Sequence, residues 1–224
     1  MTDYKLNNTL FVYPTPHGAY YATSSSGRDK ARSLVRYLLG LDVTPVGDAE
    51  LVQNIQQQTG IEEAEALLYQ MQSLNYLTGI ESAMPAPVGA LDELVADLII
   101  ALSSKGKAML TDDQGFYVAA TGFPHETASE LAAFAAELNV AYDRRQSVLN
   151  RNLGFETAAM ALIDSSGMSE IGFWPIHAGK TRFSLVLEGA PKFNQDAYTR
   201  LVWTLMRRYG VVGPDETEEE AGND

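Results

Sequence analysis

The sequence predicts an α+β fold in two parts. Apolar residues recurring at helical spacing alternate with short β-rich runs. A seam at "ESAMPAPVGA" has two prolines, a glycine and no helical period. The 224 residues suffice for one large domain or two smaller ones. The expected boundaries are a small helical domain over 1–80, a linker over 81–89, a sheet-and-helix domain over 90–212 and a disordered acidic tail over 213–224.

Composition narrows the function classes. The apolar fraction of 46% is ordinary for a globular chain. The longest apolar runs fall short of the roughly 18 residues of a bilayer span. The start, "MTDYKLNNTLFVY", lacks the basic head and apolar stretch of a secretory signal. With no cysteine, disulfides and thiolate metal sites are excluded, and a reducing, cytoplasmic setting is expected. The formal charge of −13 opposes a broad phosphate-binding surface. Six of the carboxylates lie in the tail "PDETEEEAGND", which has no large apolar residue and reads as a solvated segment.

Within the first part, "TLFVYPTPHGAYYATS" reads as two short aromatic-rich strands joined by a turn at residues 14–18. "GRDKARSLVRYLLGL" sets Ala31, Leu34, Val35, Leu38 and Leu39 on one helical face. Asp48 caps a second helix that turns Leu51, Val52 and Ile55 inward. Thr59 and Glu62 stand at capping-box spacing before a third, with Ile61, Ala64, Leu67, Leu68 and Met71 as its buried stripe. "NYLTGIES" adds a strand. Three short helices beside a small sheet give a winged helix-turn-helix-like layout. That layout brings DNA into question, but the third helix carries Glu62, Glu63 and Glu65 and no Lys or Arg. Arg28, Lys30, Arg32 and Arg36 on the first helix are a modest basic face.

The second part has a clearer order. "GALDELVADLIIALSSKG" is an amphipathic helix, and "KAMLTDDQGFYVAATG" a strand, turn and strand. A long helix follows, with Leu131, Phe134, Ala135, Leu138 and Tyr142 at helical spacing. Three strands come next, "TAAMALIDSS", "SEIGFWPIHAG" and "TRFSLVLEG". "NQDAYTRLVWTLMRRYG" is a last helix, with Asn194 as a candidate cap.

This order, with "AMLTDDQGFYVAATG" followed by "ASELAAFAAEL", resembles the Roadblock/dynein light-chain family over residues 89–210. Gly115 between the first two strands, and Ala120 and Gly122 ending the second, match the family's pattern. The resemblance implies a five-stranded antiparallel sheet with helices, a homodimer with sheets joined edge to edge, and a small Ras-like GTPase as partner. On it, Leu131, Phe134, Leu138, Ala159 and Ala161 are candidate dimer-interface residues. Phe173 and Trp174 are candidate partner contacts, with core placement as the competing reading.

Enzymatic chemistry finds little support in the residues. Asp112-Asp113 has no alternating oxygen ligands after it and reads as a hairpin turn beside Gly115. Asp164-Ser165-Ser166-Gly167 reads likewise. His17, His125 and His177 are isolated in sequence, and no phosphate-binding or nucleophile-elbow motif occurs. Arg144, Arg145, Arg151, Arg207 and Arg208 read as helix-end charges rather than an arginine finger. The expectation is a non-enzymatic, cytoplasmic, dimeric adaptor or regulator without cofactor or metal. The alternatives are a winged-helix transcriptional regulator dimerised by the second part, or a small-molecule sensor.

Overall fold

A computed structural model describes residues 7–155 and 157–210. The expected acidic tail lies outside the described residues.

The first part begins with β1 (Phe11–Pro14) and continues through α1 (Pro16–Thr23), α2 (Lys30–Leu39), α3 (Ala49–Thr59), α4 (Ala64–Ser73) and β2 (Leu77–Ile80). Its second expected strand is the helix α1. Thr15 takes the cap position, its hydroxyl accepting from the Gly18 amide at 3.1 Å, and Pro16 follows at the first helical turn. Gly18 is required there, because a Cβ would lie 2.1 Å from the Tyr76 carbonyl oxygen. Asp48 caps α3 as expected, accepting from the Leu51 amide at 3.0 Å. The expected capping box does not form. Thr59 ends α3, its hydroxyl donating to the Ile55 carbonyl at 2.6 Å, Gly60 is left-handed (φ 69°), and α4 starts at Ala64. The two strands come from opposite ends of this part and pair antiparallel, Phe11 against Ile80 and Pro14 against Leu77. Four helices therefore hang between two paired ends, whereas a wing is a hairpin of consecutive strands.

The second part follows the expected order: α5 (Leu91–Leu102), β3 (Ala108–Thr111), β4 (Tyr117–Thr121), α6 (His125–Gln146), β5 (Met160–Ile163), β6 (Ser169–Ala178), β7 (Thr181–Glu188) and α7 (Asp196–Tyr209). A π-helical turn, Ser147–Asn152, extends α6. The sheet is antiparallel throughout, in the order β4-β3-β7-β6-β5. Gln195, not Asn194, occupies the cap position of α7, and no side chain closes it.

Alternation along the strands separates two faces. Trp174, Ile176, Phe183, Leu185 and Leu187 face α5 and α7, while Phe173 and Val186 face α6. The first core is continuous with the first part of the chain, joining Tyr13, Ala19, Leu34 and Leu38 to Tyr198 and Trp203. Polar bonds reinforce that seam. Trp203 Nε1–H donates to the Leu41 carbonyl at 2.8 Å, and the Tyr13 hydroxyl donates to Asp196 at 2.5 Å. The proline-rich segment is also laid down against neighbours. Amides of Met84 and Ala86 donate to the Thr44 hydroxyl (2.9 Å) and the Asp42 carbonyl (2.8 Å).

Candidate interaction surface

The α6 face is thinner. Ala128, Ala132 and Ala135 are buried and let α6 sit close to the sheet over Met109, Phe173 and Val186. These alanines contact the chain's own sheet. Leu131 and Leu138 are half-buried on the flank, and Phe134, 36% exposed, stands edge-on to Phe173 with ring centroids 5.4 Å apart.

This flank leads to β5, where the sheet ends. β5 pairs on one side with β6, and no second neighbour is present among the described residues. Met160 and Leu162 lie opposite Phe173 and Ile171, on the α6 side. Leu162 and Ile163 are exposed (56% and 65%), as is Met168 after the turn. Ala161 is exposed on β5, whereas Ala159 is half-buried and packs towards the other core. An apolar surface from α6 onto an unpaired strand edge is a feature that monomeric proteins normally cover or defend.

The aromatic pair expected to contact a partner splits across the sheet. Phe173 lies under α6, while Trp174 faces the α5/α7 core and packs edge-on against Phe193 at 5.3 Å. Trp174 also lies over Gly172, where a Cβ would come within 2.2 Å of the indole. Both side chains are buried, so surface exposure gives neither an anchoring role. Leu162 and Ile163 belong to the expected strand whose Ala159 and Ala161 were the candidate interface residues, whereas Met168 was missed by sequence reasoning. Their apolar character was visible, but an edge position depends on the order of all five strands.

The acidic turns behave as expected. Asp112 accepts from the amides of Gln114 (3.0 Å) and Phe116 (2.9 Å), with Gly115 at φ 90°. Asp164 accepts from the amides of Ser166 and Met168 and from the Ser166 hydroxyl, bonds that hold its carboxyl below the usual range. The histidines stay on separate elements: His17 near Tyr76, His125 bonded through Nδ1 to the Tyr117 hydroxyl at 2.7 Å, and His177 in β6. Among the described residues no group of three or more His, Asp or Glu could hold a metal ion.

The end of α6 meets the sheet through polar groups. Arg182 donates twice to Asp143, at 2.8 and 2.9 Å, and Asn139 donates to Ser184 at 3.0 Å. The Arg182 bond lowers the Asp143 pKa. Beside them, burial first and the positive charge of Arg182 second push His177 down to about 4.

The basic face of α2 is largely committed inside the molecule. Arg36 donates to the carbonyls of Ala22 (2.7 Å), Gly27 (2.9 Å) and Ser25, closing the loop after α1. Arg32 pairs with Asp29 at 3.0 Å, lies 4.3 Å from the Tyr21 ring centroid and donates to the Tyr21 carbonyl. Arg207 holds Gly40 and Asp42, and Arg208 donates to the Gly89 carbonyl. Arg144, Arg145 and Arg151 are exposed at the end of α6.

The architecture defines a mixed α/β protein with a five-stranded antiparallel sheet and one apolar edge. No family model matches the chain, and no curated protein does. Among solved structures, it is similar to a Roadblock/LC7 domain from Streptomyces avermitilis, at 16% identity and a TM-score of 0.37, over 52% of this chain and 92% of that one. The gliding protein MglB from Thermus thermophilus is similar at 17% identity and a TM-score of 0.35, covering 54% and 94%. Myxococcus xanthus MglB is similar at 17% and 0.31, covering 50% and 78%. Likenesses of this size carry no argument about what the chain binds.

Proposed function

We propose that the chain is a non-enzymatic, cytoplasmic, homodimeric adaptor or regulator of a small Ras-like GTPase, with a Roadblock-like second part. The observation that carries the dimer is the exposure of Leu162 and Ile163 on a strand edge that has no second neighbour among the described residues, with Phe134 of α6 also at the surface. Two copies joined there would extend the sheets and bury Leu131, Leu138 and Ala161 alongside. The element order and sheet order support the Roadblock-like reading. The GTPase partner rests on the family resemblance of that order. The mechanism is recognition of a partner's conformation.

The rival winged-helix reading needs free cations on the first part. It is weakened because Arg32 and Arg36 are bonded to the chain's own backbone and Asp29. Capture from native cell extract with the tagged chain, with GDP or a GTP analogue added, tests the partner. Recovery of a small GTPase mainly in one nucleotide state is expected. Recovery of DNA, or no nucleotide dependence, sinks the regulator reading. Sedimentation of Leu162→Asp tests the dimer: the substituted chain is expected to be monomeric where the native chain is dimeric. An unchanged mass would remove β5 from the interface.

A further inference from the structure

We propose that the outer face of α4 is a docking site for a cationic amphipathic helix of a partner protein. Two grooves flank this helix. One, of about 110 Å³, runs between α4 and the β1–β2 pair, floored by Leu10, Val12, Leu68 and Leu77 with Glu65 at its rim. The other, of about 460 Å³, lies on the opposite flank beside Ile61 and Leu67, with Glu63 and Lys30 at its margin. Tyr69 lines both and stands 53% exposed on the ridge between them. The ten residues of α4 span roughly 15 Å, enough to align with about three turns of an incoming helix.

Charge selects the occupant. From residue 37 to residue 104 the chain has ten carboxylates and no Lys, Arg or His. Glu62 and Glu63 are exposed and Glu65 half-exposed, and none forms an ion pair with Lys or Arg among the described residues. Lys30 is the single cation lining either groove. An anionic membrane or a nucleic acid meets repulsion on this face, whereas Lys and Arg beside an apolar stripe meet Glu63 and Glu65. Insertion of one apolar side chain between α4 and the β1–β2 pair, with cations over the acidic rim, is the helix-in-groove mode of recognition. This site lies on the other part of the chain from α6 and β5, and is independent of the GTPase reading.

The test uses the full chain and a fluorescein-labelled helical peptide of about 18 residues, with leucines on one face and lysines on the other. A Glu-for-Lys version and duplex DNA serve as competitors. The lysine peptide is expected to bind and the glutamate peptide and DNA to fail. Binding should protect amides of residues 62–79 from hydrogen exchange. Tyr69→Ala leaves the net charge unchanged and should weaken binding roughly tenfold, as loss of a central aromatic contact does. Glu65→Lys should weaken it most at low salt. Unchanged binding by Tyr69→Ala would reduce the effect to general attraction by an acidic protein and overturn the proposal. Protection confined to other residues, or preferential binding of DNA, would overturn it equally.

Discussion

The two faces of the five-stranded sheet are covered to different depths. On one, α5 and α7 pack beneath the first part of the chain, and Tyr198, Leu201, Val202 and Leu205 are fully enclosed. On the other, α6 alone covers a small cluster and leaves Phe134 and the residues of β5 at the surface. Burial of apolar surface stabilises at roughly 25 cal/mol per Å². The deep face therefore carries most of the folding energy, and the thin face retains apolar area with which to associate. The difference locates stability and interaction on opposite sides of one sheet.

The largest test of this contrast is a pair of aromatic truncations. Trp203 is buried and bonded through its indole to Leu41. Trp203→Ala is expected to cost about 3–5 kcal/mol in urea unfolding, through a cavity and an unpaired Leu41 carbonyl. Phe134→Ala, at a half-exposed position, should cost roughly 1 kcal/mol or less while weakening self-association. Equal losses of stability would break the division of labour between the faces. A large Phe134 effect that vanishes on dilution would sharpen it, because stability and association would then be linked.

That asymmetry was only partly legible in the amino-acid sequence. The strand–turn–strand around Asp112, the α6 stripe and the last helix each had independent local signals, and the second part follows the expected order. The first part misled where signals competed. "YPTPHGAYY" has strand-like aromatics, yet Thr15 and Pro16 form a helix start, and Gly18 permits α1 to pass close to Tyr76. β1 and β2 pair across the whole first part, a contact that no local pattern announces. Ala132 and Ala135 are buried and let α6 approach the chain's own sheet closely. The expected strand holding Ala159, Ala161 and Leu162 was placed at a dimer seam on family resemblance, but only the order of all five strands places β5 at an edge.

A smaller effect follows from the polar end of the thin face. His177 is held neutral in the folded chain with its pKa near 4, against about 6.5 for an ordinary histidine. Between these values the unfolded chain binds more protons than the folded one, so stability falls as pH falls through this window. The expected loss between pH 7 and pH 5 is on the order of 1–2 kcal/mol, read as a drop in urea midpoint. His177→Gln should remove that part of the slope. An unchanged slope would mean that His177 takes up its proton without unfolding, and that the α6–sheet junction is open to water.

The smallest expected effect concerns the Asp143–Arg182 pair beside it. The pair is bidentate, but the Asp143 side chain is 52% exposed, so solvent screens most of the attraction. Asp143→Asn is therefore expected to cost about 1 kcal/mol or less near neutral pH. Because the folded carboxyl titrates below its ordinary value, the native pair's contribution is present above the unfolded carboxyl's pKa near 4. It is lost as pH falls through the folded value. The His177 effect occupies higher pH and should survive the substitution, since Asp143 is a source of charge that favours protonated His177. Urea midpoints of the two variants across pH separate the contributions. If Asp143→Asn instead costs as much as Trp203→Ala, the thin face carries structural weight comparable to the deep one, and its exposed apolar edge cannot be assigned to association on grounds of shallow burial.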